Sequence, residues 1–369
     1  MIFECLQEYL SKGLIIVSRA VPVKGSLPVL SNVLITAESG RVRLTATNLE
    51  NVITYTFGAE IKQEGSLTVP AKMFQEFITN LEPGKLLINA EKNVLNLTSF
   101  PKSKAKFNGM SAIEFPEIPT LKENSKYIQI PVKVLNSLVS HTYFSSSSDV
   151  TRPVLTGTLI NYSGDSISFV TTDGFRLSEK TSKIEGDFEP FSVIVPTKSL
   201  SDVSKILSGA EDLVSINFSE NDNLLFFSSG EVSVAVRVID GSFPDYKKII
   251  PTSSVFKANI SSQELLNAVK LTNVFSKESS SPIKVEFLSD GIVKVYSSNQ
   301  DSGENISEFE ALIEGENASL SFNSKYLTDF LTNIKSEKLE ISSNGGSTPA
   351  VFKSPDLENF LHLIVPMKT

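Results

Sequence analysis

One cysteine and two histidines, Cys5, His141 and His362, are all that 369 residues offer for thiol or imidazole chemistry. Cys5 can neither close a disulfide within the chain nor build a thiolate metal cluster, and a lone thiol fits a reducing cytosol. The histidines lie far apart in sequence, so a His-rich zinc or iron centre is not expected, and a Ser-His-Asp triad would have to draw on one of the two. Both are read as structural residues. No apolar run reaches the roughly 18 residues a membrane helix needs. The opening MIFECLQEYLSKGLIIVSRAV interleaves its charges with apolar residues at helical spacing, unlike the basic-then-apolar order of a signal peptide. Neither a phosphate-binding glycine loop nor a nucleophile elbow occurs. Together these absences predict a cytoplasmic protein with no membrane partner, no metal, no cofactor and no catalytic residue.

Net positive charge is also lacking. Thirty-four Lys and Arg stand against 42 Asp and Glu, a formal charge of −8, which disfavours a protein that coats nucleic acid with a broadly basic surface but leaves room for a locally basic face. With 40% hydrophobic and 21% charged residues the chain has ample material for folded cores. Its length suits two or three domains.

What is present is an internal repeat. Ser66-Leu67-Thr68-Val69-Pro70-Ala71-Lys72 returns as Ser192-Val193-Ile194-Val195-Pro196-Thr197-Lys198 and again as Ser319-Leu320-Ser321-Phe322-Asn323-Ser324-Lys325, with lysine spacings of 126 and 127 residues. Each copy alternates like a half-buried strand and then passes into apolar residues every three or four positions: Met73, Phe77, Ile78, Leu81; Leu200, Val203, Ile206, Leu207; Tyr326, Leu327, Phe330, Leu331, Ile334. A second phrase keeps the same beat. Leu27-Pro28-Val29-Leu30 matches Arg152-Pro153-Val154-Leu155, and Ala46-Thr47-Asn48 matches Thr171-Thr172-Asp173; in the third copy Ser281-Pro282-Ile283 opens a shorter, diverged run. Helical patterns precede these phrases, at Leu6, Leu10, Leu14, Val17; at Val134, Leu135, Leu138, Val139; and at Leu265, Ala268, Val269, Thr272, where Ser261 and Glu264 form a capping box. Phe115-Pro116-Glu117 and Phe243-Pro244-Asp245 mark the ends of the first two copies. The prediction is three α+β domains of about 123 residues each, at 1–124, 125–253 and 254–369.

The phrases SLPVLSNVLITA, TATNLE, TRPVLTGTLI, TTDGFRLS, SVIVPTKSL, GSFPDYKKIIP and the closing IVPMKT resemble those of the bacterial DNA polymerase III β subunit, the sliding clamp. The resemblance spans the whole chain. It implies a processivity factor for DNA replication: a head-to-tail homodimeric ring around double-stranded DNA, helices lining the hole and antiparallel sheets outside. The partners it implies are the DNA polymerase III α subunit, the clamp loader, and other polymerases and repair proteins that dock through short linear peptides.

Charge arithmetic offers a check. The six helical segments, Phe3–Ala20, Ala71–Leu81, Pro131–Phe144, Thr197–Leu207, Ser261–Lys277 and Asn323–Lys335, hold ten basic and six acidic residues, so they carry +4 and the rest −12. Lys72, Lys198 and Lys325 each fall in a first helical turn, where a cation opposes the helix dipole at roughly 0.3–1 kcal/mol. Phosphate would compensate that cost; solvated lysines inherited by duplication are the other reading. Lys12, Lys24 and Lys205 complete the expected DNA-facing set, Lys24 by matching a family position that touches DNA. With no base-reading constellation, binding is expected to be weak, sequence-independent and salt-sensitive.

The resemblance also implies a peptide cleft. Its first wall would be Leu155, Thr172, Gly174, Phe175, Arg176 and Leu177, with Pro244, Lys248 and Ile249. Its second would be Asn323, Tyr326, Ser347, Pro349, Leu363, Val365, Pro366, Met367 and Lys368. An apolar pocket there would bury Leu and Phe anchors while polar groups hold an extended backbone. On the residues alone, Leu155, Leu177 and Ile249 suit an ordinary core better than a cleft wall. Phe175, Lys248 and Val365 stand where His, Arg and Met are common in the family, which puts peptide preference in question. Asp173 reads as turn chemistry. Phe107, Val274 and Phe275 are assigned to the subunit contact. The competing function is an acidic repeat scaffold that does not engage DNA; a hydrolase built on Asp173 and a histidine would leave the repeats unexplained.

Overall fold

The computed structural model describes residues 1–23, 27–100, 103–121, 126–184, 188–209, 211–276, 282–299 and 303–368. Its helices are α1 (Gln7–Val17), α2 (Ala71–Thr79), α3 (Val132–Ser140), α4 (Thr197–Leu207), α5 (Ser262–Ser276) and α6 (Ser324–Asn333). Backbone contacts gather the chain into two compact units, one mainly Met1–Asn136 with Asp202–Val238, the other mainly Ser137–Glu185, Glu189–Ser201 and Ile239–Thr369.

The repeated phrases become repeated structure. Gly65–Pro70, Phe191–Pro196 and Ala318–Phe322 are strands that run directly, or after the single cap residue Asn323, into α2, α4 and α6. Short 3-10 turns at Pro28–Ser31 and Pro153–Thr156 lead into the strands Asn32–Glu38 and Gly157–Tyr162.

In the first unit an antiparallel sheet takes Ile128–Pro131, Leu213–Ser219, Leu224–Ser229 and Val232–Arg237 from the middle third, then Asn51–Gly58, Arg41–Thr47, Asn32–Glu38 and Gly65–Pro70 from the first. The seam pairs Val232 with Tyr55 and Val236 with Asn51. A smaller sheet runs Glu60–Gln63, Ile2–Leu6, Lys85–Glu91, Val94–Ser99, Ser103–Asn108. Helix α1 buries Leu10, Leu14 and Val17. Gly13 lets it lie close: a Cβ there would come within 2.5 Å of Tyr55 and 2.7 Å of Leu44.

Two sequence expectations shift here. Ile2–Leu6 is a strand, burying Phe3 and Cys5 at period two and leaving Leu6 exposed, so the first helix starts at Gln7. In α2 the buried face is Ala71, Phe74 and Ile78, whereas Met73 is 52% exposed. The apolar residues there are dense enough for two neighbouring stripes to fit a 3.6-residue period, and packing selects one.

The second unit repeats the plan. Its long antiparallel sheet joins Phe191–Pro196, Gly157–Tyr162, Ser166–Thr172 and Arg176–Lys183 from the middle third to Phe360–Ile364, Ala350–Lys353, Lys338–Ser343, Phe256–Ser261 and Leu312–Gly315. Its seam pairs Leu177 with Leu363. A four-stranded sheet runs Gly303–Glu310, Ile292–Asn299, Ile283–Leu288, Ala318–Phe322. Helices α5 and α6 pack together over an apolar core in which Phe256 stacks on Phe287 at 4.7 Å. The expected cap of α5 is present, with the Glu264 N–H donating to Ser261 Oγ at 3.3 Å. None of the helices of the described residues is long and apolar enough to cross a membrane.

Candidate functional site

In the second unit the strand Ser166–Thr172 turns through Asp173-Gly174-Phe175 into Arg176–Lys183. Gly174 sits at φ +93°, a backbone conformation that glycine takes without strain. Thr172 Oγ1 donates to the Arg176 carbonyl (2.6 Å) and accepts from the Gly174 N–H (3.0 Å). Asp173 Oδ1 accepts from the N–H groups of Phe175 (2.9 Å) and Arg176 (3.0 Å). The turn chemistry expected of Asp173 is therefore present, and its second oxygen does more: Oδ2 takes the Arg176 Nε–H at 3.0 Å.

Arg176 is 6% exposed, and a guanidinium taken out of water costs several kcal/mol unless it is paired. Its Nη1 donates to Asp329 Oδ2 on α6 at 2.7 Å, and the group lies 4.6 Å from the centre of the Tyr326 ring. Two carboxylates and an aromatic face thus hold one cation. Burial, followed by the negative charge of Asp173, raises the Tyr326 phenol above its ordinary value. Beneath the seam His362 is fully buried, its Nδ1 hydrogen-bonded to Ser178 Oγ at 2.8 Å and its ring stacked on Phe330 at 4.7 Å. Burial, and then the Arg176 cation, hold its pKa well below 6.5, so the ring is neutral. Asp329 and His362 carried no sequence signal as site members; only the folded sheet and helix bring Asp329 onto Arg176 and His362 within reach of its charge.

Beside this network lies a buried apolar cluster of Leu159, Val170, Leu177, Ile194, Val351, Leu363 and Tyr246. Leu155 and Leu177 are buried, so both serve as core, whereas Ile249 is exposed. Phe175, 58% exposed, and Met367 are further large apolar side chains open to solvent. The C-terminal segment is strapped down, with the Val365 N–H donating to Phe175 O (2.8 Å) and the Met367 N–H to Ser321 O (2.7 Å), and Pro366 is buried. Asn323 caps α6 by accepting the Lys325 N–H at 2.9 Å. Pro349 is half-buried; Pro244, Ser347 and Lys368 are exposed, as is Lys248, which pairs with Asp245 at 2.8 Å.

Lys72, Lys198 and Lys325 are each the second residue of their helices, α2, α4 and α6, and all are exposed. Among the described residues none of the three makes an ion pair, in contrast to Lys85, Lys257 and Lys294. Lys12 and Lys205 line one pocket of ≈ 470 Å³ in the first unit, shared with Glu211 and Glu231. Lys24 lies outside the described residues. Trimmed to the observed helices, the charge is seven lysines against five acids, +2 in place of +4, leaving −10 elsewhere. Glu4 falls in a strand, Arg19 follows α1, Lys335 follows α6, and Lys277 is outside the described residues.

Phe107, assigned to the subunit contact, lies on the edge strand Ser103–Asn108. It is 4% exposed, with Phe74 and Phe77 edge-on at 5.0 and 5.5 Å. Because α2 covers the inner face of the strand Ser103–Asn108, Phe107 faces core while Lys104 and Lys106 alternate outward. Val274 is 66% exposed, Leu271 is exposed one turn earlier, and Phe275 is half-buried.

Models of the three DNA polymerase III β-subunit domains match in order: N-terminal over 1–119, central over 129–245 and C-terminal over 247–368. The chain is 30% identical to a β sliding clamp of Synechocystis, covering 99% of this chain and 98% of that one. It is 28% identical to a β sliding clamp of Bacillus subtilis, with 96% of each covered. The crystal structure of the DNA polymerase sliding clamp from Bacillus subtilis superposes with a TM-score of 0.94 at 26% identity, over 100% of this chain and 99% of that one. The DNA polymerase III β subunit of Thermotoga maritima gives 0.91 at 26%, with the same coverage.

Proposed function

The chain belongs to the DNA polymerase III β-subunit family, the β sliding clamps, non-catalytic processivity factors of DNA replication, and from that premise we propose that two copies close head to tail into a ring around duplex DNA. The observation that carries this reading is the exposed lysine at the second position of a helix in all three repeats, Lys72, Lys198 and Lys325, with no ion pair among the described residues, on a chain of net charge −8. Each opposes its helix dipole, and phosphate is the counter-charge that suits all three. So few cations give little affinity; retention comes from encirclement. Lys12 and Lys205 add to the DNA-facing set, with Lys24. The domains of this reading are 1–124, 125–253 and 254–369, and the helices line the hole.

Open sheet edges support the subunit contact. Ser103–Asn108 ends one sheet and carries Lys104 and Lys106; Gly303–Glu310 ends another and carries Glu304, Glu308 and Glu310. Opposite charge on two unpaired edges favours their pairing between copies and disfavours pairing of like with like. Leu271, Val274 and Phe275 on α5, which packs on the second edge strand, would supply apolar contact beside it. A head-to-tail contact closes only if the rotation allows, and three similar domains per chain make closure at two copies geometrically reasonable.

The second site of this reading is the cleft of the second unit, whose apolar floor takes Leu and Phe anchors of short linear peptides. Its users would be the polymerase III α subunit, the clamp loader, and other polymerases and repair proteins, all in the cytoplasm. The test is to load the protein on nicked circular DNA with a clamp loader, linearise the circle and measure retention at high salt. Loss on linearisation is expected; retention unchanged by linearisation refutes encirclement. A monomer that never binds DNA would instead favour an acidic scaffold.

A further inference from the structure

The seam of the first unit repeats that of the second. Asn51–Gly58 is the first-copy counterpart of Arg176–Lys183, and it pairs with Val232–Arg237 as Arg176–Lys183 pairs with Phe360–Ile364. Cross-strand partners share a sheet face. Arg43 lies opposite Thr56, and Ser233 lies opposite both Thr54 and Ser228, so strand alternation puts Arg41, Arg43, Thr56, Ser228 and Ser233 on one face of the eight-stranded sheet. These five side chains line a pocket of ≈ 420 Å³. Where the first copy has Arg41 and Arg43, the second has Ser166 and Ser168, which line a pocket of their own sheet. The same place is thus hollowed in both copies, with guanidinium groups in the first and hydroxyls in the second.

The first-unit pocket has donors to spare. Arg41 is exposed and makes no ion pair or hydrogen bond through its side chain among the described residues, and the half-buried hydroxyls of Thr56, Ser228 and Ser233 make no hydrogen bond there either. Two carboxylates also line the pocket, and both are engaged. Glu231 Oε2 accepts from the hydroxyl of Tyr55, a fully buried residue of the opposite face, at 2.8 Å. Glu38 pairs with Arg43 at 3.2 Å, with both side chains nearly half exposed; so exposed a pair contributes little, and an incoming acid can take its place. A guanidinium carries five N–H donors and no acceptor, so the group that satisfies Arg41, Arg43 and the hydroxyls together is an oxyanion. Two arginines against two glutamates leave the lining without net charge. That balance disfavours a doubly charged phosphate and suits a carboxylate, whose two oxygens match the guanidinium fork.

We propose that this pocket docks an acidic segment of a partner protein, holding an Asp or Glu carboxylate between Arg41, Arg43 and the hydroxyls of Thr56, Ser228 and Ser233. The site is separate from the peptide cleft and depends neither on that reading nor on the ring. It is tested on the full-length protein by fluorescence anisotropy, with a short Gly-Ser peptide carrying several Glu residues and a control carrying Gln in their places. The Glu peptide is expected to bind roughly ten-fold tighter than the Gln peptide, the scale of one charge-assisted hydrogen bond. Arg41→Gln with Arg43→Gln is expected to erase that advantage and leave the Tm unchanged, since only an exposed ion pair is lost. Ser228→Ala with Ser233→Ala keeps every charge and is expected to reduce the advantage about three-fold, a loss that diffuse attraction to a basic surface would not show. Equal binding of the Glu and Gln peptides, a Glu advantage that survives the arginine variant, or one that the serine variant leaves whole overturns the proposal. A single-stranded oligonucleotide that binds more tightly than the Glu peptide through the same two arginines reassigns the pocket to nucleic acid and overturns it as well.

Discussion

Arg176 and Asp329 are 153 positions apart in the chain and 2.7 Å apart in space, and their ion pair ties the turn after the strand Ser166–Thr172 to α6, the two walls of the proposed peptide cleft. Because Asp173 holds the same guanidinium from below, the cation is fixed on two sides.

Asp329→Asn is expected to destabilise the second unit by about 1–3 kcal/mol, less than the 3–5 of a fully buried pair because Asp329 is partly exposed. Peptide affinity should fall with it as Arg176 and Tyr326 lose their fixed arrangement. Urea denaturation and peptide anisotropy on the same variant check both; Arg176→Lys, which cannot serve both carboxylates with one planar fork, should behave alike.

Stability should fall as pH drops below about 6.5. His362 and His141 both have pKa values lowered first by burial. The unfolded chain therefore binds protons before the folded one does, and the stabilisation present above the unfolded histidine pKa is lost on acidification. One such proton gives a slope approaching 1.4 kcal/mol per pH unit. His362→Asn should reduce the slope between pH 6.5 and 5 to what His141 leaves, measured by denaturant midpoints across that range; an unchanged slope would contradict a neutral buried His362.

Replacing Lys72, Lys198 and Lys325 together by Ala should leave Tm unchanged or slightly raised, since each substitution removes a cation from a helix start. Direct DNA binding should weaken, and the slope of log K against log salt should decrease by roughly 2 to 3, about 0.9 per lost phosphate contact.

Removing Val365–Thr369 should abolish peptide binding while leaving the dimer intact. The deletion takes away the Val365 and Met367 backbone bonds and buried Pro366, but touches neither open sheet edge. Anisotropy and light scattering separate the two effects.

Leu271→Asp with Val274→Asp should yield monomers, seen as a halved mass in solution, with the Tm little changed because both side chains already face solvent. A dimer that survives would move the contact away from α5.

Much of the fold could be read from residue order because a threefold repeat multiplies a weak signal. The Val-Pro-Thr-Lys and Arg-Pro-Val-Leu phrases place strand, turn and helix starts in step, and the structure has them there. Where the reading slipped, at Ile2–Leu6 and at Met73, two periodicities or two adjacent stripes fitted the same apolar residues, and only burial chose between them. The cleft was partly legible: Asp173-Gly174 has turn chemistry within four residues. Its partners Asp329 and His362 were not, since no local pattern distinguishes them from other helix and strand residues.

By itself the sequence determined what lies within reach of a few bonds: the repeat, the Ser261 cap of α5 and the lysines at helix starts. Tertiary structure decided what depends on register. It packed Phe107 against Phe74 and Phe77 and brought Arg176 onto Asp329 and Tyr326. A strand's alternation says which residues share a face, but only pairing with strands far away in the chain says what that face meets.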